Sequence, residues 1–312
     1  MSKLPERVAV LGDPHLGRKF KTGVPPHRLG DREEMVWEQF DRELHCHNGS
    51  IHVNMGDLFD KFVVAPEVTI RAATLYRQAA SRLSSCQFVV IEGNHDASKD
   101  SRKASSFDVF EMLVDDVPNI MVVREEPWVY DRFGFVPYHP FDPTADLVEQ
   151  LPDDLEAVFG HWDLQDRGGE NVIPTQLLAS KGITLAISGH DHLARTEKRH
   201  GVDIIVTGSM QPYTHAEDPT GDFYRTVTLD ELGQIPDLTN LNVRVLLREG
   251  ETLPEDLDCL SLTAKRMADE DEKFEVDTSE FESLDLRTML GSVLDGLSCK
   301  EDLMNRFEEG RE

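Results

Sequence analysis

Phe88-Val89-Val90-Ile91-Glu92-Gly93-Asn94-His95-Asp96 is the stretch on which the reading of this chain turns. A run of apolar residues ends just before Gly93, and an amide, an imidazole and a carboxylate follow directly. The run predicts a buried strand, and strand ends that open into polar loops are where α/β proteins place their chemistry. Four other breaks repeat the pattern. Val8-Ala9-Val10-Leu11 runs into Gly12-Asp13-Pro14-His15, and Ile51 to Met55 runs into Gly56-Asp57-Leu58-Phe59-Asp60. Ala157-Val158-Phe159 precedes Gly160-His161, and Leu185 to Ser188 precedes Gly189-His190-Asp191-His192.

Those loops supply Asp13, His15, Asp57, Asn94, His161, His190 and His192, all oxygen or imidazole donors with no thiolate. Such a set suits Mn²⁺, Fe²⁺ or Zn²⁺ better than Ca²⁺ or a structural zinc. Seven donors are too many for one ion with an open position, whereas two ions sharing Asp57 leave room for water and substrate. A Ser-His-Asp reading finds no nucleophile elbow, and no Gly-x-x-x-x-Gly-Lys-Ser/Thr loop is present. His52, inside a strand, reads as a packed histidine, and His45-Cys46-His47 as cations closing a helix rather than a metal site.

The 312 residues allow one large domain with a smaller appendage, and 39% hydrophobic residues suffice for its core. Cys46, Cys86, Cys259 and Cys299 are scattered, which fits reduced thiols in an intracellular, cytoplasmic protein. The first residues form no secretory segment and no run is long enough to span a membrane. The charge is unusual: 32 basic against 59 acidic residues give −27, and only 11 of the basic ones are lysine. Most of such a surface repels nucleic acid. Either it is a plain solvated acidic surface or it suits a salt-rich, halophilic cytoplasm. Against that background Arg18, Lys19 and Lys21, then Lys99, Arg102 and Lys103, are local basic clusters beside the strand-end loops and candidate DNA-phosphate contacts.

Spacing predicts helices over 31–47, 66–83, 107–113 and 175–180, a hairpin of 128–130 with 133–136, and further strands at 120–123, 202–206 and 223–229. Beyond residue 232 the pattern thins into Gly, Pro, Asp and Asn. A short strand over 242–247 with a helix over 253–266 is expected there, then an acidic linker over 269–282. Residues 283–312 carry Leu286, Met289, Leu290, Val293, Leu294 and Leu297 at helical spacing, read as a helical tail that docks a partner. The domains are therefore 1–232, a small α+β domain over 233–268, the linker, and the tail.

The five motifs, in this order, resemble those of the calcineurin-like metallophosphoesterases, whose fold is an α/β β-sandwich flanked by helices. Gly12-Asp13-Pro14-His15-Leu16-Gly17 and Gly56-Asp57-Leu58-Phe59-Asp60 look like the SbcD-type double-strand-break-repair nucleases. Gly160-His161-Trp162-Asp163-Leu164 looks like their phage recombination counterparts. Lys61-Phe62 after Asp60 departs from the Arg-Gly of the protein phosphatases. The resemblance implies one ion on Asp13, His15, Asp57 and His192 and a second on Asp57, Asn94, His161 and His190, chiefly Mn²⁺. It implies that His95 protonates the leaving sugar oxygen and that Asp60 orients it. Asp96 and Asp191 would hold the ligand loops. The implied protein is a DNA exo- and endonuclease, a homodimer working with an SbcC-type coiled-coil ATPase. Two alternatives stand beside it: a phosphatase or small-molecule phosphodiesterase on the same scaffold, and a non-catalytic DNA-end scaffold.

Overall fold

The computed structural model describes residues 3–45, 47, 49–97, 103–165, 171–254 and 257–267. The linker over 269–282, the tail over 283–312, Cys46, Lys99 and Arg102 lie outside the described residues. The chain divides into one unit, Met1–Arg266, and a second, Met267–Glu312.

The first sheet holds four parallel strands, β1 (Val8–Leu11), β2 (Ile51–Asn54), β3 (Gln87–Ile91) and β4 (Ile120–Val123), in that order. Helices α1 (Asp31–His45), α2 (Pro66–Arg82) and α3 (Ser106–Val114) cover its outer face. Pro66 opens α2, and a reciprocal capping box between Ser105 and Asp108 opens α3. The second sheet runs β5 (Trp128–Tyr130), β6 (Phe133–Val136), β7 (Ala157–Gly160), β8 (Leu185–Ser188), β10 (Val202–Val206) and β9 (Arg195–Arg199). Its outer face is covered by α4 (Thr144–Glu149) and α5 (Thr175–Ser180).

Strand β3 shows why the two sheets pack. Phe88 and Val90 point into the helical layer with Phe40 and Tyr76, while Val89 and Ile91 point the other way. There they meet Phe133, Phe135, Phe159 and Ile187 of the second sheet. A strand apolar on both faces can only sit between two covering layers, and each buried Phe or Ile contributes about 1.5–3 kcal/mol. The layers are helix, sheet, sheet, helix. Registers Leu11 with Asn54, Asn54 with Val90, and Gly160 with Ser188 bring the polar breaks to one edge.

A third, parallel sheet contains β11 (Tyr224–Thr228), β12 (Asn242–Leu247) and β13 (Ser261–Arg266), with a single turn of helix, α6 (Leu229–Leu232), after β11. This sheet takes in residues on both sides of position 232. The helix expected over 253–266 is not formed. Its last six residues pair with β12 from Asn242–Ser261 to Leu247–Arg266, and Leu253 and Leu257 pack against the sheet's own cluster. Leu253 and Leu257 stand four apart in a segment that is neither helix nor strand at those residues, so the spacing alone does not separate a helix from a loop lying on an apolar cluster. Strand β9 was not foreseen either: Arg195-Thr196-Glu197-Lys198-Arg199 is a charged edge strand, with no apolar alternation to read. No helix among the described residues is long and apolar enough to cross a membrane.

Candidate metal centre

The Gly-polar breaks converge. Ligand atoms of Asp13, His15 and His192 lie within 4.8 Å of one another, and so do those of Asp57, His161 and His190. His15, Asp57 and His95 form a third such group between them. Asn94 completes the second cluster, its Oδ1 2.8 Å from His161 Nε2 and 2.9 Å from His190 Nδ1. All seven expected donors are thus brought to one place.

Asp57 stands in the middle. Its Oδ1 is 3.4 Å from His161 Nε2, and its Oδ2 is 3.8 Å from His15 Nε2. One carboxylate therefore offers one oxygen to each cluster. His15, Asp57 and His190 hold left-handed backbone, with φ of 46°, 48° and 71°. Non-glycine residues adopt that region at a cost, and such strain gathers at functional sites. The neighbouring glycines permit the close approach. A Cβ on Gly93 would lie 2.2 Å from Asp57 Oδ1, and one on Gly56 2.3 Å from His161 Nδ1.

The second nitrogens of the rings decide what the first can do. His161 Nδ1 donates to the Met55 carbonyl at 2.9 Å, leaving Nε2 with a lone pair. His190 Nε2 faces Asp163 Oδ1 at 2.9 Å, and His192 Nδ1 faces Glu217 Oε1 at 3.2 Å. Bonded through those nitrogens, the rings turn bare nitrogens inward. With both rings neutral, Asn94 Oδ1, His161 Nε2 and His190 Nδ1 meet with no hydrogen to share, which a metal ion or a proton on His161 resolves. Asp13 supports the same conclusion: Oδ2 accepts from the His190 N–H at 2.9 Å, but Oδ1 is buried without a hydrogen-bond partner. Orphaned acceptors and an all-oxygen-and-imidazole set fit divalent cations.

The ionisation of the cluster shows the same need for positive charge. Burial pushes the Asp13 carboxyl up to about 7 and the His15 imidazole down to about 3. Burial would also lower His161, but the Asp57 and Asp13 carboxylates outweigh it and raise that ring to about 10. Burial likewise opposes ionisation of Asp57, yet His161, then His15, hold it below the usual carboxylate range. A proton on His161 occupies the place that a metal would take, so the two compete.

His95 is exposed beside this cluster, its main-chain N–H donating to Asp57 Oδ1 at 2.8 Å. Its ring Nδ1 lies 2.6 Å from the main-chain carbonyl of Asp60. The expectation that Asp60 orients His95 therefore needs one correction, because the contact is through the backbone. The Asp60 carboxylate faces Arg18 instead, at 3.6 Å. Asp96 accepts main-chain N–H bonds from Leu58 and Phe59 at 3.0 Å each and from Gly93 at 3.1 Å, tying two ligand loops together. Asp191 pairs with Arg195 at 2.7 Å.

A groove of 870 Å³ runs from Asn94 and His95 past Arg18, Lys19, Asp60 and Lys61. Of the described basic residues singled out in the sequence, Arg18 and Lys19 line it. Lys21 does not: the loop turns at Gly23, whose carbonyl accepts from Leu262 N–H at 2.8 Å, and Lys21 lines an adjoining crevice beside the third sheet that Arg18 and Lys19 also line. Lys103 faces a neighbouring 460 Å³ cavity with Glu92, Asp108 and Arg124. Lys61 takes a place in the groove that sequence reasoning did not give it. Tyr213 was also missed: it donates to the Pro14 carbonyl and packs edge-on against His15, with ring centroids 5.5 Å apart.

The family model described as calcineurin-like phosphoesterase matches residues 6–194, which contain every candidate ligand. The chain belongs to that family. No curated protein matches this phosphoesterase. Among solved structures it is similar to the phosphopantetheinyl hydrolase of Mycobacterium tuberculosis, at 13% identity and a TM-score of 0.42, covering 66% of this chain and 93% of that one. It is similar also to TT1561 of Thermus thermophilus, at 11% identity and a TM-score of 0.43, over 65% and 89% of the two chains. A third is the GAP50 anchor of the Plasmodium inner membrane complex, at 15% identity and a TM-score of 0.38, over 65% and 71%. The sandwich and the convergent donors agree with membership of a metal-dependent hydrolase family.

Proposed function

We propose that this phosphoesterase is a two-metal DNA phosphodiesterase, an SbcD-type exo- and endonuclease of break repair or recombination. In this reading Asp13, His15, Asp57 and His192 hold one ion, and Asp57, Asn94, His161 and His190 the other, with Mn²⁺ the working metal. A bound pair of such ions supplies hydroxide near neutral pH and charge to clamp the phosphoryl group. The protein does the rest. Asp57 fixes the spacing of the two clusters, and Arg18 and Lys19 draw the backbone into the groove. His95 gives a proton from Nε2 to the departing sugar oxygen, while the Asp60 carbonyl accepts from Nδ1–H and orients the ring.

The observation that supports DNA as substrate is the composition of the groove: among the described residues Arg18, Lys19 and Lys61 line it with one carboxylate, Asp60, in a chain of net charge −27. Phosphate neutralisation needs such a local reversal of sign. The tail over 283–312 is proposed to dock an SbcC-type ATPase, and the protein to act as a homodimer. The test is incubation of end-labelled linear duplex with Mn²⁺, with and without chelator. Chelator-sensitive shortening or nicking is expected, and intact DNA beside turnover of a simple phosphodiester rules the nuclease reading out. The overall acidic charge favours that second reading, a small-molecule phosphodiesterase or phosphatase, and the same assay chooses between them.

A further inference from the structure

We propose that Asp163 and Glu217 are positioning residues that fix opposite tautomers on His190 and His192, so that one His-x-His pair serves two different cations. The inference rests on the two-cation reading above. Residues two apart in an extended segment project to the same side, so spacing alone assigns both rings to one place. Here they part. His190 takes a φ of 71°, and each ring meets its own carboxylate from a distant segment.

An ionised carboxylate only accepts hydrogen bonds. Asp163 Oδ1, 2.9 Å from His190 Nε2, therefore keeps the proton on Nε2 and leaves Nδ1 bare. That bare nitrogen faces His161 Nε2 at 3.3 Å and Asn94 Oδ1 at 2.9 Å. Glu217 Oε1, 3.2 Å from His192 Nδ1, does the reverse. The bare Nε2 of His192 faces His15 Nε2 at 3.0 Å and Asp13 Oδ2 at 3.9 Å. Exchanging the tautomers would aim an N–H into each cluster and remove a donor from both.

The Glu217 carboxylate and the Asp163 main chain are themselves held. Glu217 accepts from the Tyr213 N–H at 2.8 Å and the Thr214 hydroxyl at 3.1 Å, so the segment after β10 buttresses the Asp13 cluster. The Asp163 N–H donates to the Asn171 carbonyl at 2.8 Å, fixing the segment after β7 beside the Asn94 cluster. A neutral imidazole carries its proton on either nitrogen at similar cost, and the partner of the outer nitrogen selects which.

The test uses the full chain loaded with Zn²⁺ as a diamagnetic probe, with ¹⁵N-histidine spectra, and calorimetric titration of the stripped protein with Mn²⁺. His190 is expected to be metallated at Nδ1 and protonated at Nε2, and His192 the opposite. Asp163→Ala should weaken one of two Mn²⁺ steps about 10- to 100-fold and spare the other. Glu217→Gln, which keeps the loop's acceptor, should weaken the other step alone, and Asp163→Asn should recover part of the loss. Two ions bound with both rings metallated through the same nitrogen would overturn this inference alone. So would either variant leaving both steps within twofold of wild type. Uptake of a single Mn²⁺ by the wild type overturns the two-cation reading and the inference with it.

Discussion

The main-chain N–H of His95 donates to Asp57 Oδ1 across 2.8 Å. The residue proposed to hand over a proton is thereby tied to the carboxylate that spans both ligand clusters. One contact thus links the exposed imidazole to the carboxylate between the clusters.

Asp57→Ala should therefore do two things at once. Mn²⁺ stoichiometry, counted by calorimetry or atomic emission, is expected to fall from two to one or fewer. Phosphodiester turnover should drop by about 10²- to 10³-fold, the usual cost of losing a preorganised charge at a reacting centre. Two ions retained in the variant would contradict a bridging role.

His95→Gln should separate proton delivery from ligand binding. Cleavage of DNA is expected to fall about 10²- to 10⁴-fold, with both ions still bound. Hydrolysis of bis-p-nitrophenyl phosphate, whose leaving group departs without a proton, should be spared by comparison. Equal losses on the two substrates would remove His95 from the general-acid role.

Gly93→Ala tests the packing of the loops. The added Cβ would lie 2.1 Å from Asp57 N and 2.2 Å from its Oδ1, so backbone has to move. A loss of about 1–3 kcal/mol in denaturant unfolding is expected, together with weaker Mn²⁺ binding. An unchanged midpoint with normal metal content would show that the loops have slack.

His52 gives a pH dependence away from the metal. It is 1% exposed in β2, and burial lowers its imidazole to about 3. The unfolded ring titrates near 6.5, so between pH 6.5 and about 3 the unfolded chain takes up a proton that the folded one refuses. Stability from this group is present above pH 6.5 and declines as pH falls, by at most about 1.4 kcal/mol per pH unit. His52→Leu should flatten that part of the acid limb in the stripped protein. Parallel stability curves for variant and wild type would refute it.

Much of this was legible in the sequence because the signals are local. A run such as Phe88–Ile91 is apolar on both faces, so it has to be a central strand, and Gly followed by Asp, His or Asn marks its exit. Parallel registers then bring those exits to one edge without any further information. What stayed hidden depends on contacts between distant segments. Glu217 sits in an unremarkable loop and acquires its role only because that loop folds back on His192. Asp60 meets His95 through its main-chain carbonyl, which every residue has, so its side chain gave a misleading cue. Lys21 and Lys103 stand close in sequence to the motifs but are turned aside, Lys21 by the bend at Gly23 and Lys103 at the approach to α3. Leu253 and Leu257 read as one turn of helix because they stand four apart, a spacing that a loop lying on the third sheet's cluster also happens to present.

Asp96 ties the Asp57 and Asn94 loops through three main-chain bonds that involve no candidate ligand atom. Chelation would then return an empty but intact receptacle rather than a collapsed one. Different ions could be exchanged through the same protein preparation, and their effects compared without refolding between trials.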